Sequence, residues 1–181
     1  MKKLVIATRN PGKVAEISAL LDSVGIELLS LSEFSDMPNI VEDGATFIDN
    51  AMKKAQKTAQ FTSCAALADD SGIVVDALDG QPGVYSARFA DTNNARIAKM
   101  LCMMADVPDG LRTARFICAL AVVMPDGEEW TTEDSCEGII TRQPSGCEGF
   151  GYDPVFLYPP LNKTFAETPS EKKNRISHRG K

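Results

Sequence analysis

Hydrophobic positions along this chain alternate between strand and helix spacing. Lys3-Leu4-Val5-Ile6-Ala7 is an apolar run of strand length, and Val14, Ile17, Leu20, Leu21 and Val24 follow at helical spacing as far as Gly25. Between them Asn10 has the chemistry of a helix N-cap and Pro11 suits the first helical position. Ile26 to Leu29 reads as a second strand, and Ser32 to Ile40 as a loop. A helix is predicted over Thr46 to Phe61, with Phe47, Ile48, Ala51, Met52 and Ala55 on one face. Ala65 to Ala68 is predicted as a buried strand ending at Asp69-Asp70-Ser71-Gly72, with Ile73 to Val75 a separate extended piece. A helix over Thr92 to Ala105 follows, and then Arg115 to Met124, apolar at almost every position, which predicts a central strand buried on both faces. Pro125-Asp126-Gly127 turns the chain into a polar partner strand, Glu128 to Glu137, where Trp130 is expected to pack on a neighbouring element. Gly146 to Gly151 is a glycine-rich loop before a last strand, Pro154 to Tyr158. Thr168-Pro169-Ser170-Glu171 has the form of a capping box opening a helix over Pro169 to His178. The alternation predicts an α/β fold with a central mixed sheet flanked by helices.

The chain has 181 residues, 44% of them hydrophobic, a size that suits one domain spanning residues 1–181. No apolar run reaches membrane-spanning length and no signal-peptide pattern opens the chain, so a cytoplasmic protein without membrane contact is expected. Cys64, Cys102, Cys118, Cys136 and Cys147 form no CxxC pair and are an odd number, which predicts reduced, mostly buried thiols. Acidic residues outnumber basic ones by 25 to 19, which argues against a nucleic acid polymer as partner. Basic residues gather at the two ends, Lys2 to Lys13 and Lys172 to Lys181, and either form one local positive site on folding or remain solvated termini.

The turn Thr8-Arg9-Asn10-Pro11-Gly12-Lys13 joins a strand to a helix N-terminus, where backbone N–H groups, the Thr8 hydroxyl, the Asn10 amide and the Lys13 ammonium are potential anion donors. An ordinary βα turn with a surface lysine accounts for the same residues. Asp69 and Asp70 precede Ser71 at a strand's carboxyl end, where ligands bind in open α/β sheets; an Asx-type turn is the simpler alternative. With Glu42, these carboxylates offer hard oxygen ligands suited to magnesium, although Glu42 equally suits the positive end of the helix that follows. Phe150 and Tyr152 lie between glycines and precede Asp153, so a ring can stack on a base while Asp153 reads its edge; Tyr152 equally suits a core position. His178 adjoins Arg179 and lies five residues beyond Lys173, and no glycine-flanked serine elbow is present.

Six blocks taken in order, Ala7 to Lys13, Glu42 to Phe47, Leu67 to Gly72, Pro82 to Arg88, Gly149 to Pro154 and Ile176 to Gly180, resemble the inosine/xanthosine triphosphate pyrophosphatases. The resemblance implies an elongated two-lobed α/β fold with the substrate cleft between the lobes, and a magnesium-dependent homodimer. It implies hydrolysis of aberrant purine nucleoside triphosphates (ITP, dITP, XTP) to the monophosphate and pyrophosphate, which cleans the nucleotide pool. By the same resemblance Thr8, Asn10, Lys13 and Lys173 bind the triphosphate, and Glu42 and Asp70 hold Mg2+, with Asp69 a possible further ligand. Asp70 is the general base, Ser71 contacts substrate, Phe150 stacks on the purine, and Gly151, Tyr152, Asp153, His178 and Arg179 surround the base. The chain stops at Lys181, where relatives continue into another helix, so that C-terminal helix is expected to be missing. Two other readings stay open: a diphosphatase acting on other modified or ordinary nucleoside triphosphates, and a nucleotide-binding module without turnover.

Overall fold

The computed structural model describes residues 3–181 and divides into two compact units. Lys2, counted above among the basic residues, lies outside the described residues. One unit comprises the chain up to Asp70 together with Cys118–Asp134; the other comprises Ser71–Ile117 and Ser135–Lys181. In chain order the regular elements are β1 (Lys3–Ile6), α1 (Pro11–Leu21), β2 (Glu27–Ser30), α2 (Phe47–Thr62), β3 (Ala65–Val75), α3 (Asn93–Met103), β4 (Thr113–Val123), β5 (Glu129–Ile140), β6 (Phe156–Tyr158), β7 (Lys163–Thr164) and α4 (Ser170–Ile176). The strands form one open sheet in the order β2-β1-β3-β4-β5-β6-β7. It is mixed, as expected: β1 pairs in parallel with β2 and β3, whereas β6 pairs antiparallel with β5 and β7.

In the first unit, β1 is buried on both faces because its side chains alternate between two clusters. Leu4 and Ile6 pack with Ile17 of α1 and Leu67 of β3, while Val5 packs with Leu31 and Met37. The register Leu4↔Ala65 and Ile6↔Leu67 brings the end of β1, and the turn after it, alongside the middle of β3. In the second unit the core gathers Ile73, Val75, Ile97, Met100, Phe116, Ile140, Phe156 and Phe165, with the Phe116 ring 4.5 Å from Phe156 and stacked on Phe165. Each such side chain contributes about 1.5–3 kcal/mol on burial.

Several expectations need correction. Asp69-Asp70-Ser71-Gly72 does not end a strand or form an Asx turn: β3 runs unbroken through it to Val75. The sheet continues because eleven-residue β4 lies beside β3, and Lys13 and Lys54 meet the two carboxylates that would otherwise be buried uncompensated. β4 is central, but Ile117, Leu120 and Val122 are only half buried. β5 reaches Ile140, and Trp130, in its polar first half, remains 53% exposed. β6 is not the last strand, since β7 follows it. The capping box forms at Thr164 and Glu167, one turn before the expected Thr168 and Glu171, and α4 ends at Ile176, leaving His178 in the following turn. All five cysteines are thiols outside any disulfide, but only Cys118 and Cys136 are buried. Among the described residues no helix is long and apolar enough to cross a membrane.

Candidate active site

The βα turn is built as its residues require. Asn10 is the N-cap of α1, its side-chain oxygen accepting from the N–H groups of Gly12 (2.9 Å) and Lys13 (3.3 Å), while the Thr8 hydroxyl accepts from Asn10 N–H. Arg9 donates to the Met37 carbonyl at 2.9 Å. Lys13 turns from the start of α1 onto Asp69 of β3 and forms an ion pair with it. The Cys118 thiol donates to the other oxygen of that carboxylate at 3.1 Å. Asp69 therefore aims Lys13.

Asp70, one residue on, points to the opposite face of β3, as strand geometry demands. Its Oδ1 accepts from the Lys54 ammonium at 2.8 Å, and the same ammonium reaches Glu42 Oε1 at 3.0 Å and the Asp69 carbonyl at 2.8 Å. Lys54 thus spends its three N–H donors on three acceptors while almost fully buried. Burial works against that ammonium, yet Asp70 and Glu42 together hold it above the ordinary lysine value. Burial also pushes Asp70 above the usual carboxylate value, outweighing the opposing pull of Lys54 and Lys13, with Glu42 adding to the rise. Oδ2 of Asp70 is buried and has no hydrogen-bond partner. A pocket of about 210 Å³ opens beside this group, lined by Thr8, Arg9, Asn39, Glu42 and Lys54 among others.

Among the described residues no three His, Cys, Asp or Glu side chains converge as a self-sufficient metal cage. Glu42 and Asp70 do fit a hard divalent cation of the magnesium type. Both are carboxylates, and Asp70 Oδ2 is a dehydrated oxygen that lacks a donor, as is expected where one or two carboxylates share the ion with substrate phosphates. Asp69 is engaged by Lys13 and Cys118 instead.

The remaining candidates form a second group, in the second unit. Asp153 is buried, and its Oδ2 accepts from Phe150 N–H at 2.8 Å and from the Lys173 ammonium at 2.5 Å. That ammonium also lies 4.9 Å from the centre of the half-buried Phe150 ring, and the Arg179 guanidinium 6.0 Å from it. Arg179 donates to the Ser71 hydroxyl at 2.9 Å, and His178 stacks on Phe116 with centroids 4.8 Å apart. Gly149, at φ +73°, lets this loop close: a Cβ there would lie 2.1 Å from Asp153 Oδ2. The Tyr152 side chain is in the core, donating to the Ser86 carbonyl at 2.9 Å, and burial raises its phenol pKa. Lys173 thus stands with the aromatic loop. Ser71 follows Asp70 directly in β3, so consecutive residues belong to the two groups.

Sequence reasoning missed Lys54. Its signal was present: Lys54 falls on the stripe of Phe47, Asn50, Ala51, Ala55, Thr58 and Ala59 that α2 buries, where a lysine needs a buried counter-charge.

An open mixed α/β sheet with buried carboxylates and lysines beside its first βα turn defines the structural class of this chain. Within it the chain belongs to the Ham1 family, whose model matches residues 4–181. A dITP/XTP pyrophosphatase of Desulforamulus reducens is 53% identical over 182 residues, covering 99% of this chain and 90% of the relative. The dITP/XTP pyrophosphatase of Geobacter sulfurreducens is 50% identical over 184 residues, covering 100% and 92%. The solved structure of a HAM1 protein from Coxiella burnetii matches with a TM-score of 0.89 at 40% identity, over 99% of this chain and 93% of that one.

Proposed function

We propose that this chain hydrolyses non-canonical purine nucleoside triphosphates, dITP, ITP and XTP, to the monophosphate and pyrophosphate. The observation that carries the reading is Asp70: a buried carboxylate with a raised pKa and one unpartnered oxygen, bound through the other to Lys54. Full-length relatives named dITP/XTP pyrophosphatase support the substrate class.

In this mechanism the triphosphate lies over the turn Thr8 to Lys13, where the positive end of α1 and lysine side chains balance its charge. Asp70 accepts a proton from the water that attacks the α-phosphorus; the α–β anhydride bond breaks, and pyrophosphate leaves with its negative charge opposed by Lys13 and Lys54. Lys54 fixes one oxygen of Asp70 and leaves the other unpartnered, and burial limits competing solvation. Glu42 and Asp70 would hold Mg2+, which when bound polarises the phosphate oxygens and offsets charge on the leaving group. Phe150 stacks on the purine, and Gly151, Asp153, Lys173, His178 and Arg179 surround it. Donors facing the six-position oxygen reject adenine, whose amino group would leave them unpaired. The protein acts as a homodimer in the cytoplasm, where it cleans the nucleotide pool.

Turnover of ITP, dITP and XTP with Mg2+ in ¹⁸O-water, resolved by anion exchange, tests this directly. Monophosphate carrying the label, with unlabelled pyrophosphate, is the expected result. Orthophosphate release overturns the reaction type, equal turnover of ATP and pyrimidine triphosphates overturns the substrate class, and tight binding without products leaves a binding module.

A further inference from the structure

The segment before α2 is fastened to that helix at successive points. Thr46 and Asp49 cap one another, Asp43 pairs with Lys53, and Glu42 meets Lys54. Between these polar and charged fastenings lies a different one: Gly44 N–H donates to Asn50 Oδ1 at 2.8 Å. Asn50 is fully buried on the apolar stripe of α2, one turn before Lys54, and its Nδ2 has no hydrogen-bond partner. An apolar side chain would suit that stripe better, because a buried amide donor left unpaired destabilises the fold. The close approach is also built in, since a Cβ on Gly44 would stand 2.8 Å from Asn50 Oδ1. What the amide supplies in return is a fixed anchor for the backbone two residues from Glu42.

We propose that Asn50 is a positioning residue for the metal carboxylate Glu42: it holds Gly44 against α2 and so sets the place of Glu42 relative to Lys54 and Asp70. The inference rests on the reading of Glu42 and Asp70 as the metal carboxylates. Its logic is that of residues behind metal ligands in general, whose loss weakens metal affinity about 10–100-fold.

The test uses Asn50→Leu and Asn50→Asp in the full chain, with Mn2+ alone as the probe, its free concentration followed by paramagnetic resonance, and the melting temperature recorded on the same samples. Asn50→Leu removes one unpaired amide donor, Nδ2, and leaves another, Gly44 N–H, so it is expected to melt within a few degrees of the unsubstituted protein and to bind Mn2+ about 10–100-fold more weakly. Asn50→Asp, which keeps an acceptor for Gly44 N–H, is expected to restore most of that affinity. Unchanged Mn2+ affinity in a folded Asn50→Leu variant overturns the positioning role and leaves the proposed reaction standing. A loss of affinity that appears only together with a fall in melting temperature of about 10 °C or more also overturns it, as plain structural damage. Should Asn50→Leu not fold, a folded Asn50→Asp variant decides, with near-normal affinity supporting the role and tenfold weakening opposing it. Failure of the unsubstituted protein to bind Mn2+, with turnover that needs no divalent cation, overturns the metal reading and this inference with it.

Discussion

Replacing Lys54 by methionine keeps an unbranched side chain, one heavy atom shorter, and removes the charge from a buried electrostatic group in the first unit. The ammonium now serves Asp70 Oδ1 at 2.8 Å, Glu42 Oε1 at 3.0 Å and the Asp69 carbonyl at 2.8 Å. Without it Asp70 is left 6% exposed, with Oδ2 already unpartnered and only the more distant charge of Lys13 in its favour. Removing one partner of a buried pair typically costs about 3–5 kcal/mol. For a chain of 181 residues, at about 2–4 °C per kcal/mol, that corresponds to a fall in melting temperature of roughly 10 °C at neutral pH. The sign of the pH dependence follows from the raised pKa values. The stabilisation from a charged Lys54 is fully present below the ordinary lysine value and is lost only as pH rises through the raised one. Asp70, whose pKa is raised in the fold, favours the native state at low pH and loses that contribution as pH rises. In Lys54→Met the Asp70 pKa rises further, so protonation relieves the uncompensated charge on acidification. The gap in melting temperature between the two proteins should therefore narrow from pH 7.5 to pH 5, as read by scanning calorimetry. Adding Asp70→Asn to Lys54→Met should recover much of the loss at neutral pH. A gap that widens on acidification, or no loss at pH 7.5, would refute the electrostatic account.

Other outcomes follow from single contacts. Asp70→Asn should keep the fold by circular dichroism while lowering kcat by about 10²–10⁴, the usual contribution of a positioned general base; near-normal turnover places the base elsewhere. Gly149→Ala sets a Cβ against Asp153 Oδ2 at a positive φ, so it should displace Phe150 and raise KM far more than it lowers kcat in steady-state assays. Tyr152→Phe loses one hydrogen bond to the Ser86 carbonyl, so chemical denaturation should show a loss of about 0.5–1.5 kcal/mol with kcat unchanged.

What sequence reasoning captured was local. Asn10 and Pro11 start α1, and Thr46 starts α2, because an N-cap is satisfied by side-chain and backbone groups three residues apart or fewer. The spacing of apolar residues likewise located the helices and β4. The first group of the site was legible in part. Asp69 and Asp70 stood out as adjacent carboxylates, and opposite orientation in a strand was foreseeable, but the partners that decide their roles lie 56 and 16 residues away in Lys13 and Lys54.

Where two segments carried the same local signal, the chain alone did not choose. Thr164-Phe165-Ala166-Glu167 and Thr168-Pro169-Ser170-Glu171 both have capping-box spacing, and only the first forms the box, because the Thr168 hydroxyl is turned back onto the Thr164 carbonyl. Asp69-Asp70-Ser71-Gly72 has turn composition, yet it lies inside a strand because β4 runs beside it and two lysines from other helices compensate its charges. Residue types and spacing by themselves determined the helix starts, the α/β alternation and the chemistry on offer, since those depend on neighbours within a turn or two. Tertiary structure alone decided that β3 is continuous, that Lys54 bridges Glu42 and Asp70, and that Tyr152 belongs to the core, because burial and charge pairing are properties of residues distant in sequence that meet only in the folded state.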